Sequence, residues 1–197
     1  MNVWVAGMSL LSADVELLAG DAEAAERDLR VAYEALERMG ERGLLSAVAA
    51  QLGRALCAQE RYNEAERFAQ VSQELAQSDD VAAQMLWRTT RAKVLARRQH
   101  PEEAESLARQ AREITEKTDA LNSQGLSLTT LAEVLLLAGR EKEAAPLLGR
   151  ALKLFERKGN VVAATSARET LANLSKRRKT SRRMILPLGS LTTRPPN

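Results

Sequence analysis

Apolar positions in this chain fall on helical stripes, and the stripes come in pairs. Over 131–137, Leu131, Val134, Leu135 and Leu136 make one wide apolar face. Over 144–155, Ala144, Leu147, Leu148, Ala151, Leu152 and Phe155 recur at i, i+3, i+4 and i+7, the spacing of an amphipathic helix. The pattern predicts first helices over about 3–19, 43–59, 80–98 and 121–138, and second helices over about 22–38, 62–77, 101–117 and 141–158. The turns within each pair fall at Gly20-Asp21, Glu60-Arg61, Gln99-His100 and Gly139-Arg140. Turns this short force the two helices of a pair to run antiparallel. Asp21 suits an N-cap and Pro101 a first helical turn, where its missing N–H is not needed. A fifth helix of the first kind, about 161–175, carries Ala172 at the next register position and has no following partner, so it is expected to cap the stack.

Small residues give the period. Ala25, Ala65, Ala104 and Ala144 are 40, 39 and 40 positions apart. Twelve residues before each stands Ala13, Gly53, Ala92 or Ala132, and seven after each stands Ala32, Ser72, Ala111 or Ala151. Self-similarity at this period signals a solenoid whose units cover one another's apolar faces. The small residues fit where two helices press together. The first and last units match even in their turns, with Leu17-Leu18-Ala19-Gly20 echoed by Leu136-Leu137-Ala138-Gly139.

Composition sharpens this picture. Aromatic residues are 3% of the 197, so the core is aliphatic, and the abundance of Ala, Leu, Glu and Arg favours an all-α chain. The lone Cys57 cannot form an intrachain disulfide and reads as a packed thiol. The apolar run Val3 to Leu11 has no basic segment before it and is interrupted by Asp14 and Glu16. It reads as the first helix of the array, and the protein is expected to be soluble and cytoplasmic. Trp4 and Trp87 read as packing residues within helices.

The net charge of +3 is unevenly distributed. Residues 176–197 hold seven basic residues and no acid, which leaves 22 basic against 26 acidic residues in 1–175, a net of −4. Lys176, Arg177, Arg178, Lys179, Arg182 and Arg183 form a basic cluster, followed by Pro187, Gly189, Pro195 and Pro196. The expected division is therefore a repeat array over 1–175 and a basic, disordered tail over 176–197.

Chemistry-bearing motifs are missing from the sequence. It contains no G-x-x-x-x-G-K-[ST], no C-x-x-C and no H-E-x-x-H, and its single histidine, His100, falls in a turn. Glu102-Glu103, Asp79-Asp80, Glu141 and Glu143 stand at helix starts, where they favour the helix dipole. The chain is expected to be no enzyme and to use no cofactor and no metal.

The 12-then-7 spacing of small residues resembles the tetratricopeptide repeat (TPR) over about 1–175. The unit here is about 40 residues rather than 34, the family's proline after the second helix is absent, and Ala49 and Leu128 replace an early aromatic. The resemblance implies an all-α, right-handed TPR-like superhelical solenoid of antiparallel helix pairs, with the first helices lining an inner groove. In that register the groove carries Leu10, Asp14, Leu17, Arg54, Thr89, Lys93, Thr129, Glu133 and Leu136, with a basic stretch from Arg54, Arg91 and Lys93. The Lys and Asn that clamp a peptide carboxylate in some members are missing from the matching places. The implied function is a protein–protein interaction scaffold that binds another protein or a peptide segment.

A narrower resemblance lies in Gly20 to Glu26, in Leu86-Trp87-Arg88 with Arg91 to Arg98, and in Phe155 to Val161. These stretches look like the C-terminal TPR region of bacterial signalling regulators that couple a class III adenylate/guanylate cyclase to an NTPase module. The implied alternative is a truncated fragment of a larger cyclase-like regulator, with self-association through an exposed terminal helix. The charge of the tail offers another alternative, binding of nucleic acid or an anionic membrane surface.

Overall fold

The computed structural model describes the backbone of residues 3–184 and the side chains of 4–177. Nine helices follow one another: α1 (Val3–Ala19), α2 (Ala22–Met39), α3 (Arg42–Ala58), α4 (Tyr62–Leu75), α5 (Val81–Arg97), α6 (Pro101–Thr115), α7 (Leu121–Leu137), α8 (Glu141–Lys158) and α9 (Val161–Met184). Among the described residues there is no strand. The first eight helices begin and end within two residues of the positions read from the apolar spacing.

Local chemistry fixes the ends. Asp21 Oδ1 accepts a hydrogen bond from the Ala24 amide at 2.9 Å, Asp80 Oδ1 from Ala83 at 3.0 Å, and Asn160 Oδ1 from Ala163 at 3.1 Å. The turn inside every pair uses one left-handed residue at equivalent places: Gly20, Glu60, Gln99 and Gly139, with φ of 84°, 60°, 63° and 74°. Glycine takes that conformation without strain, whereas Glu60 and Gln99 take it against the steric preference of a side chain.

Successive helices pack in order, and alternate helices α1, α3, α5 and α7 also pack on one another. The odd-numbered helices thus form an inner layer and the even-numbered ones an outer layer. Their sequences show why. The outer α2, α4, α6 and α8 carry a single apolar stripe, while α3 and α7 bury residues all round. The predicted small residues Ala13, Ala25, Ala32, Ala65, Ser72, Ala92, Ala104, Ala111, Ala132, Ala144 and Ala151 are all fully buried. A Cβ on Gly53 would come within 3.2 Å of the Ala65 carbonyl oxygen, which is why the second unit has glycine there.

The apolar interior continues through the whole stack. Leu29, Leu36, Leu52 and Leu56 fill the first two units, and Leu131, Leu135 and Leu148 fill the last. Between units, charge repeats as well. Arg61 pairs with Glu26, and 79 positions on Arg140 pairs with Glu105; each arginine also reaches the acid three residues ahead, Glu64 or Glu143. In the unit between them His100 stands where these arginines stand, and Glu66 pairs instead with Arg91 at 2.9 Å.

Three expectations need correction. Arg91 does not face the groove: it points outward to α4, bonding Glu66 and, at 2.6 Å, Gln73. Trp87 packs as expected, its ring buried beneath the Arg88 guanidinium at 4.0 Å, but Trp4 is exposed. Ala172 keeps the register and is exposed, in keeping with a last inner helix that has no following partner among the described residues. The last helix also runs past residue 175 to Met184. Lys176, Arg177, Arg178 and Lys179 are good helix formers, and cations are favoured at a helix C-terminus. Of the basic cluster, Lys176 and Arg177 are exposed on α9; the side chains of Arg178, Lys179, Arg182 and Arg183 and all of 185–197 lie outside the described residues.

Candidate functional site: the inner cavity

The inner layer curves until α9 touches α1. This encloses a cavity of about 760 Å³ with contributions from all five odd-numbered helices. Leu17 comes from α1; Arg54, Cys57 and Ala58 from α3; Thr89, Thr90, Lys93 and Arg97 from α5; Leu126, Thr129, Thr130, Glu133 and Leu136 from α7; and Ala163, Ser166, Ala167 and Thr170 from α9. Glu60 and Tyr62, at the turn after α3, stand at its edge.

Helices α5, α7 and α9 give the cavity residues spaced three or four apart, which is one face of a helix: Thr89, Lys93 and Arg97, then Thr129, Glu133 and Leu136, then Ser166 and Thr170. Hydroxyls dominate the polar lining. Thr89 Oγ1 and Thr129 Oγ1 each donate at 2.9 Å to the carbonyl three residues back, Leu86 and Leu126. Their lone pairs remain for an acceptor role. Thr130 Oγ1 is buried with no hydrogen-bond partner, an uncompensated polar atom in the cavity wall.

The charges in the cavity wall bridge the helices. Lys93 Nζ lies 3.0 Å from Glu133 Oε2, and Arg97 Nη2 lies 3.4 Å from Glu133 Oε1. Burial pushes the Glu133 carboxyl up, but the Lys93 ammonium and the Arg97 guanidinium outweigh it and hold it below the usual carboxylate range. At the rim Arg54 Nη1 bonds Asp14 at 2.6 Å and Gln51 at 3.1 Å. The expected basic stretch is therefore an internally neutralised set. Burial pushes the Cys57 thiol up, the nearby Lys93 ammonium opposing it, so Cys57 remains a neutral wall residue rather than a thiolate.

Of the residues read from sequence as the groove, Leu17, Arg54, Thr89, Lys93, Thr129, Glu133 and Leu136 line this cavity. Leu10 does not; it packs against the first core. Asp14 does not line it either and acts through Arg54. Sequence reasoning missed the α9 wall, Ser166 and Thr170, although they stand in register with Leu126 and Thr130 one unit earlier. It also missed Arg97, one helical turn beyond Lys93. Among the described residues, no group of three His, Cys, Asp or Glu side chains could hold a metal ion, and no helix is long and apolar enough to cross a membrane.

An all-α stack of antiparallel pairs around a concave inner wall defines the class: a helical-repeat solenoid. Within that class, two family models, each described as a tetratricopeptide repeat, match residues 46–72 and 82–157. The chain is a tetratricopeptide-repeat protein.

Among solved structures it is similar to the Signal Transduction ATPase with Numerous Domains (STAND) protein with a tetratricopeptide repeat sensor from Pyrococcus horikoshii. The two share 20% identity with a TM-score of 0.63, over 88% of this chain and 27% of that one. It is also similar to BtubC (BKLC) from P. vanneervenii, at 16% identity and a TM-score of 0.53, over 94% of this chain and 82% of that one. The chain thus spans about a quarter of the length of the STAND protein. At these identities the likeness is one of fold. No curated protein matches the chain.

Proposed function

We propose that this TPR array is a non-catalytic scaffold that holds a short extended polypeptide segment in its inner cavity. One observation carries the reading: three of the five inner helices, α5, α7 and α9, converge hydroxyl groups, and α5 and α7 a bridged Lys93–Glu133–Arg97 cluster, on a single concavity of about 760 Å³. An extended chain offers N–H and C=O groups along both edges. Thr89, Thr129, Ser166 and Thr170 can meet either kind of group, and Leu17, Leu126 and Leu136 cover apolar side chains between them. The neutralised wall disfavours a ligand recognised by net charge alone, such as a nucleic-acid backbone.

We further infer that the segment belongs to a signalling or regulatory system, with the chain acting as the sensing part. The support is the fold shared with a STAND protein whose repeats are described as a sensor.

The test is selection of random twelve-residue peptides on the immobilised full chain, followed by titration against wild type and Thr129→Leu. Leucine at 129 removes a hydroxyl and fills the cavity from the helix that contributes more of its lining than any other. Selected peptides that lose at least ~10-fold in affinity for Thr129→Leu support the cavity. Peptides that bind both proteins equally place recognition elsewhere and end the proposal.

A further inference from the structure

The half-buried arginines of this array are matched by acids, with one exception. Arg30, Arg54, Arg61, Arg91, Arg112 and Arg140 are half-buried, and each pairs with a carboxylate. Arg88 is also half-buried and pairs with no carboxylate among the described residues. Taking a guanidinium out of water costs free energy that a neighbouring anion ordinarily offsets. Burial pushes the Arg88 guanidinium down, with no acid opposing it.

The repeat itself does not need a charge at this place. Shifted by one repeat period, the counterparts of Arg88 are Ala49 and Leu128, and those of Arg91 are Leu52 and Leu131. All four are buried. The third unit therefore replaces an apolar strip of its inner helix by two arginines. Arg91 reaches α4, where Glu66 neutralises it. Arg88 reaches Gln110 of α6. The two arginines thus mark the line along which α5 lies between its two outer neighbours, and neither lines the inner cavity.

The head of Arg88 is held in one plane. Its central carbon lies 4.0 Å over the Trp87 ring. Nε donates to Gln110 Oε1 at 3.3 Å, and Nη1 donates to the Gln84 carbonyl at 2.8 Å and to Gln84 Oε1. Gln84 is itself fixed, donating through Nε2 to the carbonyls of Ala76 at 3.3 Å and Gln77 at 2.9 Å. The hydrogens of Nε and Nη1 are used in this way. The two hydrogens of Nη2 have no acceptor among the described residues.

We propose that Arg88 anchors a second binding site, between α4 and α6 on the outside of the array, that takes an acidic side chain of a partner protein. Donor number selects the ligand. One nitrogen with two hydrogens serves a carboxylate, whereas a phosphate dianion gathers more donors than this. Residues 1–175 hold 22 basic against 26 acidic residues, a net of −4 that opposes a polyanion. The Trp87 stack and the glutamine bonds hold the free nitrogen in place, so little side-chain freedom is lost on binding. The site is separate from the inner cavity and stands independently of the peptide reading.

Nuclear magnetic resonance on the full chain tests it. Trp87 Nε1 donates at 3.3 Å to Gln84 Oε1, the atom that also accepts from Arg88, so the Trp87 indole resonance reports on the Arg88 head. The probe is acetylated, amidated hexaglutamate, added at constant ionic strength. In wild type the Trp87 resonance is expected to move along a saturating curve. In Arg88→Met it is expected not to respond, with helicity unchanged, since the neighbouring units carry alanine and leucine at this position. In Arg88→Lys, which keeps the charge but not the planar fork, the midpoint is expected at a concentration at least ~10-fold higher. Basic groups elsewhere are the same in all three proteins, so the comparison isolates residue 88. A Trp87 resonance that stays still in wild type overturns the proposal. So does an equal response in Arg88→Met, or a midpoint in Arg88→Lys equal to that of wild type. Inorganic phosphate acting at a lower concentration than hexaglutamate overturns the choice of a carboxylate.

Discussion

The two end helices of the stack, α1 and α9, are both inner helices with one outer neighbour, and they end the array in opposite ways. The face of α9 that has no following helix among the described residues carries Thr165, Glu169, Ala172 and Lys176, a mostly polar surface that begins at the exposed Val161 and Val162. The face of α1 that lacks a preceding helix carries Trp4, Met8, Leu11 and Val15. A repeat array needs a polar outer face where stacking stops. By that criterion the described part of α9 presents a more polar face than α1 does. The tetratricopeptide matches fall on α3–α4 and α5–α8, between these two helices. What distinguishes the molecule is therefore concentrated where the repeat pattern gives way.

The sharpest way to break this comparison uses the small-residue register. Ala132 is fully buried among Ala92, Ala104, Ala144 and Leu148, whereas Ala172, forty positions on, is exposed. Ala132→Leu is expected to lower stability by about 3 kcal/mol through overpacking. Ala172→Leu is expected to stay within ~0.5 kcal/mol. Urea unfolding followed by circular dichroism measures both. Equal losses would mean that α9 carries a covering partner on that face.

A valine pair asks the same of the other end. Val15 and Val134 occupy one register position 119 residues apart, with Val15 at 66% exposure and Val134 at 1%. Val134→Ala is expected to cost about 2 kcal/mol, the transfer term plus a small cavity. Val15→Ala is expected to cost almost nothing, because the side chain is already largely exposed. A Val15→Ala loss as large as that of Val134→Ala would place the residue in the core.

A third contrast concerns how each end fits its pair. A Cβ on Gly125 would lie 2.4 Å from the buried Phe155 ring. The counterparts at the first pair, 119 residues back, are Ala6 and Leu36, both fully buried. The two ends solve one packing problem with opposite sizes. Gly125→Ala is expected to cost about 1 kcal/mol, part of the clash being offset by alanine's better helix propensity. Gly125→Ala/Phe155→Leu is expected to recover most of that loss, since it copies the first pair. Additive losses in the double variant would refute the equivalence.

These contrasts also show what the sequence could convey. Helix limits and buried alanines were legible because both follow from spacing within one unit. So were most cavity positions, since Thr89, Lys93, Thr129 and Glu133 follow from the face each inner helix must turn inward. The return of α9 to α1 was not legible. It depends on a small rotation added at every unit, and no local residue encodes the total, so Ser166 and Thr170 read as part of a cap. Arg91 was misplaced for a different reason. Its partner Glu66 is chosen because His100 stands where an arginine would otherwise take it, a choice visible only with both in view. Trp4 was misread because packing was assumed for an aromatic on a helix whose outer neighbour is missing among the described residues.

The smallest expected effect lies in the charged steps between units. At the first step Glu26 accepts from Arg30 at 2.7 Å, from Gln59 at 2.8 Å and from Arg61. Burial pushes its carboxyl up, and these donors outweigh burial and hold it below its ordinary value of 4.5; Glu105, beside Arg109 and Arg140, is lowered in the same way. At the last step the equivalent position is Ala145, and α8 meets α9 through Arg168 and the largely exposed Glu156 at 2.9 Å. A carboxyl whose pKa is lower in the folded chain adds stability that is complete above its unfolded value and lost as pH falls through the folded one. Acidification from about pH 6 to about pH 3 is therefore expected to loosen the α2–α3 step and leave the α8–α9 step comparatively unchanged. Hydrogen–deuterium exchange, corrected for intrinsic rates, reads the two steps separately. Equal loosening at both would show that the first end owes its cohesion to apolar packing alone, which would strip the two ends of their electrostatic difference while leaving the apolar one intact.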